Sequence, residues 1–98
     1  MSQFLDSLFR RSAGGASQRV SHYLYFSGQE AAAPVVAELR EQGFDVEERQ
    51  SADGKNWLVL AHHDMVATRS VVEAMRVRMK ALAEPAGGEY DGWEAAVG

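Results

Sequence analysis

The sequence contains no cysteine, and only two of its 98 residues are proline. The absence of cysteine excludes disulfide bonds, thiolate zinc sites and cysteine nucleophiles. The sequence also lacks any apolar run near the roughly 20 residues that a helix needs to cross a bilayer. Its N-terminus has no basic region followed by an apolar core, which a signal peptide requires, so we expect a cytoplasmic protein without a membrane span.

Positive charge is scarce. Ten lysine and arginine residues stand against 14 aspartate and glutamate residues, which gives a net charge of −4. Nucleic acid is a polyanion, so the overall field does not favour binding to it. The remaining composition, 46% apolar and 24% charged, is typical of a globular domain, and 98 residues suffice for one domain with a core of two layers.

The first 18 residues differ from the rest of the chain. An apolar stripe at helical spacing is followed by two basic residues, and the positions are Phe4, Leu5, Leu8, Phe9, Arg10 and Arg11. This pattern predicts a short amphipathic helix that packs on its own domain or on a partner, with anchoring at a membrane surface as the alternative. Residues 12–18 have the composition of a flexible linker. We therefore divide the chain into an N-terminal segment, 1–18, and a folded domain, 19–98.

Four stretches predict strands. His22–Phe26 is a run of large, mostly β-favouring residues, and alternation places Leu24 and Phe26 on one face and Tyr23 and Tyr25 on the other. Residues 44–50 alternate with many charges, as in a strand near a sheet edge, and residues 56–62 form an apolar central strand. The turn between these two strands is centred on Gly54. The last strand covers residues 89–97, with Gly92 marking a bulge or a close approach of another backbone.

Two helices are predicted between these strands. Ser27 and Glu30 have the spacing of a capping box at the start of the first helix, which we expect to end near Gln42 with Gly43 as its stop. Pro34 conflicts with a regular helix, so the helix either kinks there or begins its regular part there. The second helix is capped by Thr68 or Ser70. The predicted buried stripes are Ala32, Val35, Val36 and Leu39 in the first helix, and Val72, Met75, Met79 and Leu82 in the second.

The order of elements is strand, helix, strand, strand, helix, strand. Right-handed connections within one antiparallel sheet then give an α+β ferredoxin-like sandwich, with four strands and both helices on one face. In this topology the first strand is internal, and the helices leave the other face of the sheet uncovered. We expect Tyr23, Tyr25, Trp57 or its neighbour Leu58, and part of the last strand to lie on that face.

Four stretches of the sequence resemble the RraB family, whose named members regulate ribonuclease E. They are His22–Phe26, Glu38–Phe44, Trp57–His62 and Glu89–Glu94. The most specific is Glu-Tyr-Asp-Gly-Trp at residues 89–93, which lies in the last strand of that family. The resemblance covers about residues 21–97. It implies a ferredoxin-like domain and, for the named members, inhibition of an endoribonuclease through protein–protein contact without catalysis.

One end of the predicted sheet collects possible metal ligands: His22, His62, His63 and Asp64. Imidazole and carboxylate groups ligate zinc and other divalent metals. Adjacent His62 and His63 point to opposite sides of a strand, however, so only one of them can join His22. Two ligands make a poor site, and we predict neither a metal nor a cofactor.

Catalytic groups are not evident in the sequence. Asp91 and Glu94 are suitable acids by type, but alternation places Asp91 on the face of Trp93 and turns Glu94 away. The sequence has no phosphate-binding loop and no nucleophile spaced from a base. We predict no enzymatic activity and no catalytic residue.

Exposed aromatic residues on a ferredoxin-like sheet can stack RNA bases, so RNA binding needs to be weighed. The acidic residues Asp45, Glu47 and Asp91 argue against it, because few basic residues lie in the strands to hold phosphates. We predict a non-enzymatic regulator that binds a protein, which by the resemblance is an endoribonuclease. Its predicted contact residues are Tyr23, Tyr25, Trp57, Tyr90 and Trp93. A dimeric structural module of no defined activity and a single-stranded RNA binder are the alternatives. Pairing of two such sheets, face to face, is the simplest cover for the aromatic face and would make a homodimer, and the N-terminal helix folding over the sheet is the competing cover.

Overall fold

The computed structural model describes residues 17–95, which form one antiparallel sheet and two α-helices. The strands are β1 (Gln18–Phe26), β2 (Asp45–Gln50), β3 (Trp57–Met65) and β4 (Glu89–Ala95). The helices are α1 (Gln29–Glu41) and α2 (Arg69–Ala83), and a short 3₁₀ helix follows at Glu84–Ala86. The strand order across the sheet is β2-β3-β1-β4, and both helices pack on the same face. The predicted ferredoxin-like fold is confirmed.

The core lies between this face of the sheet and the helices. Its buried members are Leu24, Phe26, Ala32, Val35, Val36, Leu39, Phe44, Val59, Ala61, Met79 and Ala83. The predicted stripe of α1 is buried throughout, whereas in α2 only Met79 of the predicted stripe is fully buried and the other three members are half-buried. The difference follows from position, since α1 contacts three strands, β1, β2 and β3, whereas α2 contacts mainly β4, at the sheet edge, and β1.

The two ends of α1 differ in how well the sequence predicted them. The N-cap is Gly28 in an extended conformation without a side-chain hydrogen bond, so the predicted capping box at Ser27 is wrong. The helix starts at Gln29 and continues through Pro34, which rules out a start at the proline. At the other end Gly43 has a φ of 98°, and the amide of Phe44 donates to the carbonyl of Leu39 over 3.0 Å. The predicted glycine stop is therefore confirmed.

Three further details of the strands and of α2 correct or confirm the sequence analysis. Thr68 caps α2, because its hydroxyl oxygen accepts from the amide of Val71 over 3.3 Å. Strand β3 extends to Met65, past the predicted end at His62, and pairs there with Gln18 at the start of β1. The predicted bulge is confirmed, since the register between β1 and β4 shifts beside Gly92, whose φ is 120°.

The N-terminal amphipathic segment and nearly all of the predicted linker lie outside the described residues, as do the last three positions of the chain. The division at residue 18 therefore stays a prediction. Between residues 17 and 95, no helix is long and apolar enough to cross a membrane.

Gly88 provides a test of the packing between β4 and the core. A Cβ atom at this position would overlap the Phe26 ring and would lie 2.9 Å from the Tyr25 carbonyl oxygen. We expect Gly88→Ala to lower the free energy of unfolding by about 1–3 kcal/mol, because the buried ring must move. Chemical denaturation monitored by circular dichroism measures this value.

The matched control is Gly28→Ala. Gly28 has an extended backbone that any residue adopts, and a Cβ there would meet nothing within 4 Å. The control should change the free energy of unfolding by less than about 1 kcal/mol. Equal losses in the two variants would contradict the close approach at Gly88.

Candidate protein-interaction face

The side of the sheet opposite the helices is called the open face here. Directly paired residues of antiparallel strands point to the same side, so the register assigns its members. They are Arg19, Ser21, Tyr23 and Tyr25 in β1, Asp45, Glu47 and Arg49 in β2, Leu58, Leu60, His62 and Asp64 in β3, and Glu89, Gly92 and Glu94 in β4. Within residues 17–95, neither helix packs against this face.

Of the five predicted contact residues, only Tyr23 and Tyr25 lie on the open face. They occupy the central strand and are half-buried. Tyr25 pairs with Leu58 and Tyr23 pairs with Leu60, and these leucines are only 7% and 5% exposed. The centre of the open face is therefore a patch of aromatic and aliphatic side chains.

Trp57 lies on the helix face, and its placement beside the tyrosines is corrected. It pairs with Phe26 at the start of β3 and packs against the core. Its indole Nε1–H donates to Glu48 Oε1 over 3.0 Å. The register gives the position next to Tyr25 to Leu58, the neighbour that the sequence analysis left as the alternative.

Tyr90 and Trp93 also lie on the helix face. Tyr90 pairs with Leu24 and packs against the core, and Trp93 pairs with His22 and remains 38% exposed. The bulge adds one residue between these two pairs, so simple alternation fails across it. Asp91 was expected to share the face of Trp93, but instead it lines a cleft with Tyr25.

Polar side chains border the central patch of tyrosines and leucines. The Glu94 carboxylate lies close to the Tyr23 hydroxyl and raises the pKa of that phenol. His62 Nδ1 lies 2.7 Å from Ser21 Oγ, and its Nε2 lies 3.2 Å from Glu47 Oε1. These contacts tie β1 to each of its neighbours across the open face and hold the carboxylates at its border.

The open face is acidic. It carries five carboxylates, at Asp45, Glu47, Asp64, Glu89 and Glu94, and two guanidinium groups, at Arg19 and Arg49. Arg19 forms ion pairs with Asp45 at 3.0 Å and with Asp64 at 3.5 Å. An apolar aromatic centre with a charged border is the usual anatomy of a protein–protein interface.

The opposite, helix side of the sheet contains three polar side chains in contact with one another, His63, His22 and Tyr90, which are called the polar chain here. His22 is fully buried there, with its Nε2 at 3.0 Å from His63 Nε2 and its Nδ1 at 3.0 Å from the Tyr90 hydroxyl. Each imidazole can donate with one nitrogen and accept with the other, so both rings can be satisfied while neutral. The polar chain joins β1, β3 and β4.

Sequence analysis correctly predicted that His62 and His63 point to opposite sides and that only one joins His22. It missed the buried contact with Tyr90. A sequence signal for this position was present: His22 lies two residues before Leu24, and side chains two apart in a strand share a face, so the imidazole could have been placed on the core side. Among residues 17–95, His, Cys, Asp and Glu side chains form no group of three or more that could hold a metal ion.

Burial lowers the pKa of both histidines in this set of polar contacts. Burial, and then the charges of His63 and His62, lower the pKa of His22 to about 4. Burial also lowers the pKa of His63, with the nearby Arg78 guanidinium acting in the same direction. Both imidazoles are therefore neutral in the folded protein at neutral pH.

Comparison with known families gives one match. A family model named RraB and described as regulator of ribonuclease activity B matches residues 15–95. This range includes every strand and both helices of the described structure. No curated protein matches the chain.

The buried imidazole of His22 makes stability sensitive to acid. Its folded pKa of about 4 lies below the ordinary value of 6.5, so the unfolded chain binds more protons between these values. Stability contributed by this group is therefore complete above about pH 6.5 and is lost as the pH falls toward 4. We expect the free energy of unfolding to fall by about 2 kcal/mol between pH 7 and pH 5 because of His22 alone.

Urea denaturation at the two pH values measures this loss. His22→Gln should flatten the pH dependence, because a glutamine can still form hydrogen bonds but does not titrate. His62→Gln on the open face leaves the buried pair intact and should keep most of the wild-type dependence, because the charge of His62 is the smallest of the three causes that lower the pKa of His22. If His22→Gln retained the full difference between pH 7 and pH 5, the buried imidazole would not be its source.

Proposed function

The chain belongs to the RraB family, and on that basis we propose that it is a non-enzymatic regulator that binds and inhibits a ribonuclease E-type endoribonuclease. The description of the family states regulation of ribonuclease activity. A direct protein contact by the folded domain 19–98, in the cytoplasm, is the simplest form of such regulation. The observation that supports this proposal is the open face, with Tyr23 and Tyr25 at its centre.

The composition of the open face supports a binding role. Tyrosine offers a large rigid surface and a hydroxyl group while losing little conformational entropy on binding, and it is frequent among the residues that dominate binding energy. Tyr23 and Tyr25 stand side by side with Leu58 and Leu60 on the two central strands. A partner that covers this patch would remove aromatic surface from water at a rigid site, so it would lose little to reorganisation.

The other three predicted contact residues, Trp57, Tyr90 and Trp93, lie on the helix side of the sheet and have other roles in this proposal. Trp57 and Tyr90 pack against the core on the helix side. We propose that they support the sheet beneath the contact surface. Trp93, which is partly exposed on the edge strand, can extend the contact around that edge.

The arrangement of titratable groups supports regulation without catalysis. His22 and His63 have perturbed pKa values of the kind found at active sites. His22, however, has no exposed surface, so it cannot contact a substrate. Burial, followed by the charges of the neighbouring histidines, accounts for its lowered pKa, so this pKa is explained by packing.

Self-association and RNA binding through the open face are the competing functions. Two copies placed face to face would bring like charges together, because each face carries more carboxylates than guanidinium groups. The same excess of negative charge repels RNA phosphates. Both alternatives therefore have an electrostatic cost that a protein partner with a complementary surface does not have.

Substitution of Tyr25 tests the proposal. We expect Tyr25→Ala to raise the concentration needed for half-inhibition by roughly 30-fold, because truncating a central interface tyrosine typically costs about 2 kcal/mol. The measurement is the initial rate at which a full-length ribonuclease E-type enzyme cleaves a fluorogenic RNA oligonucleotide, titrated with the regulator. Val77→Ala is the matched control, since Val77 is an apolar side chain of α2 that is 57% exposed and lies away from the open face.

The two arms of this assay separate the partner from the surface. If the wild type does not slow cleavage and does not bind the enzyme at low salt, the ribonuclease is not its partner. If Val77→Ala loses as much inhibition as Tyr25→Ala, the contact does not lie on the open face.

Light scattering tests the self-association alternative. We expect the protein to be monomeric at micromolar concentration, because the like charges of two open faces oppose their pairing. A wild-type dimer that Tyr25→Glu converts to a monomer would instead establish the face as a homodimer interface.

A further inference from the structure

Charge is unevenly distributed between the two sides of the domain. Among the charged residues of the open face, carboxylates outnumber guanidinium groups by five to two. On the other side of the sheet, α2 has an excess of basic residues and α1 an excess of acidic ones, so the two helices together carry five basic and four acidic residues. The excess of negative charge therefore lies on the open face. A surface with this excess of one sign is electrostatically complementary to a partner of the opposite sign.

The open face ends in a cleft of about 560 Å³. The cleft lies where β1 ends, β4 begins and the turn between β2 and β3 crosses, and Tyr25 lines it together with the side chains of Asp53, Glu89 and Asp91. An aromatic ring beside carboxylates suits a guanidinium group, which can lie over the ring and form paired hydrogen bonds with a carboxylate. A lysine ammonium is a point charge and makes less use of this planar arrangement.

Most carboxylates of the central part of the open face already have weak local partners. Asp45 pairs with Arg19, Glu47 contacts His62 and Glu94 lies close to the Tyr23 hydroxyl. Exposed contacts of this kind contribute little to stability. Arginine side chains of a partner can therefore join or replace them without a large loss in the domain itself.

We propose that the open face binds an arginine-rich segment of the partner protein. One arginine enters the cleft beside Tyr25, and further arginines pair with Glu47 and Glu94. This inference rests on the proposed function and names the chemistry of the partner surface. A ribonuclease must hold a polyanionic substrate, and proteins hold RNA phosphates with arginine and lysine, so such an enzyme carries basic segments of the required kind.

A short fluorescent peptide of alternating arginine and glycine tests this inference through fluorescence anisotropy. We expect Glu47→Gln/Glu94→Gln to raise its Kd roughly tenfold, because two charges facing the ligand are lost while the glutamine amides keep the size and polarity of the original side chains. The matched control is Glu38→Gln/Glu41→Gln. It removes the same net charge from α1, behind the sheet, and should change the Kd by less than about twofold.

Two further measurements sharpen the result. Glu89→Gln, in the cleft, should weaken binding of the arginine peptide more than binding of a lysine peptide of the same length, because only the guanidinium can form paired hydrogen bonds. Added salt should steeply raise the Kd of the arginine peptide, because it screens the attraction between exposed charges. Thermal unfolding of each variant establishes that a change in Kd does not come from loss of the fold.

Several outcomes would overturn the inference. They are equal losses in the open-face and α1 variants, an affinity that ignores salt, no measurable peptide binding at low salt, or single-stranded RNA that binds the wild type and displaces the peptide. The same variants in the ribonuclease assay separate the two proposals. If the wild type inhibits the enzyme and Glu47→Gln/Glu94→Gln inhibits equally well, the inference fails and the proposed function stands. If the peptide binds as expected but the enzyme is not inhibited, the inference stands and the proposed function fails.

Discussion

The pairing of β1 with a strand on each side is the constraint on which the rest of this domain depends. Alternation along β1 commits Val20, His22, Leu24 and Phe26 to the helix side, and all four are buried. A slip of the register by one residue would move the whole set to the other face. Burial of one face therefore fixes the register, and the register in turn decides which side chains reach the open face.

This dependence explains how much could be predicted from the sequence. Between residues 17 and 95, local periodicity predicted the four strands and the two α-helices, and the rules for connections predicted the sheet order. The open face was predicted less well, because the face of Trp57 depends on its pairing with Phe26 and the faces of Tyr90 and Trp93 depend on the bulge in β4. Such pairings join distant parts of the chain, and local patterns do not contain them. The cap of α1 failed for a smaller reason, because Ser27 lies one residue before the N-cap.

The contacts of His22 add chemical specificity to this register. A buried imidazole without partners is costly, whereas His22 has both nitrogens in contact, one with Tyr90 in β4 and one with His63 in β3. A different pairing of either neighbouring strand would leave a nitrogen unsatisfied. The polar chain therefore favours the same strand alignment that the apolar core favours, through directional contacts instead of volume.

The two faces of the sheet consequently have separate physical roles. The helix face supplies most of the core, and the open face adds the buried side chains of Leu58 and Leu60. The carboxylates at the border of the open face are exposed, so burial places few demands on them. Residues chosen for stability there would be β-branched or would form balanced charge pairs. Instead Glu47 lies opposite Leu60 and Glu94 lies opposite Ser21, and both flank the exposed surface of Tyr23. An unbalanced acidic border around tyrosines does little for the fold, which is a physical reason to attribute this composition to binding.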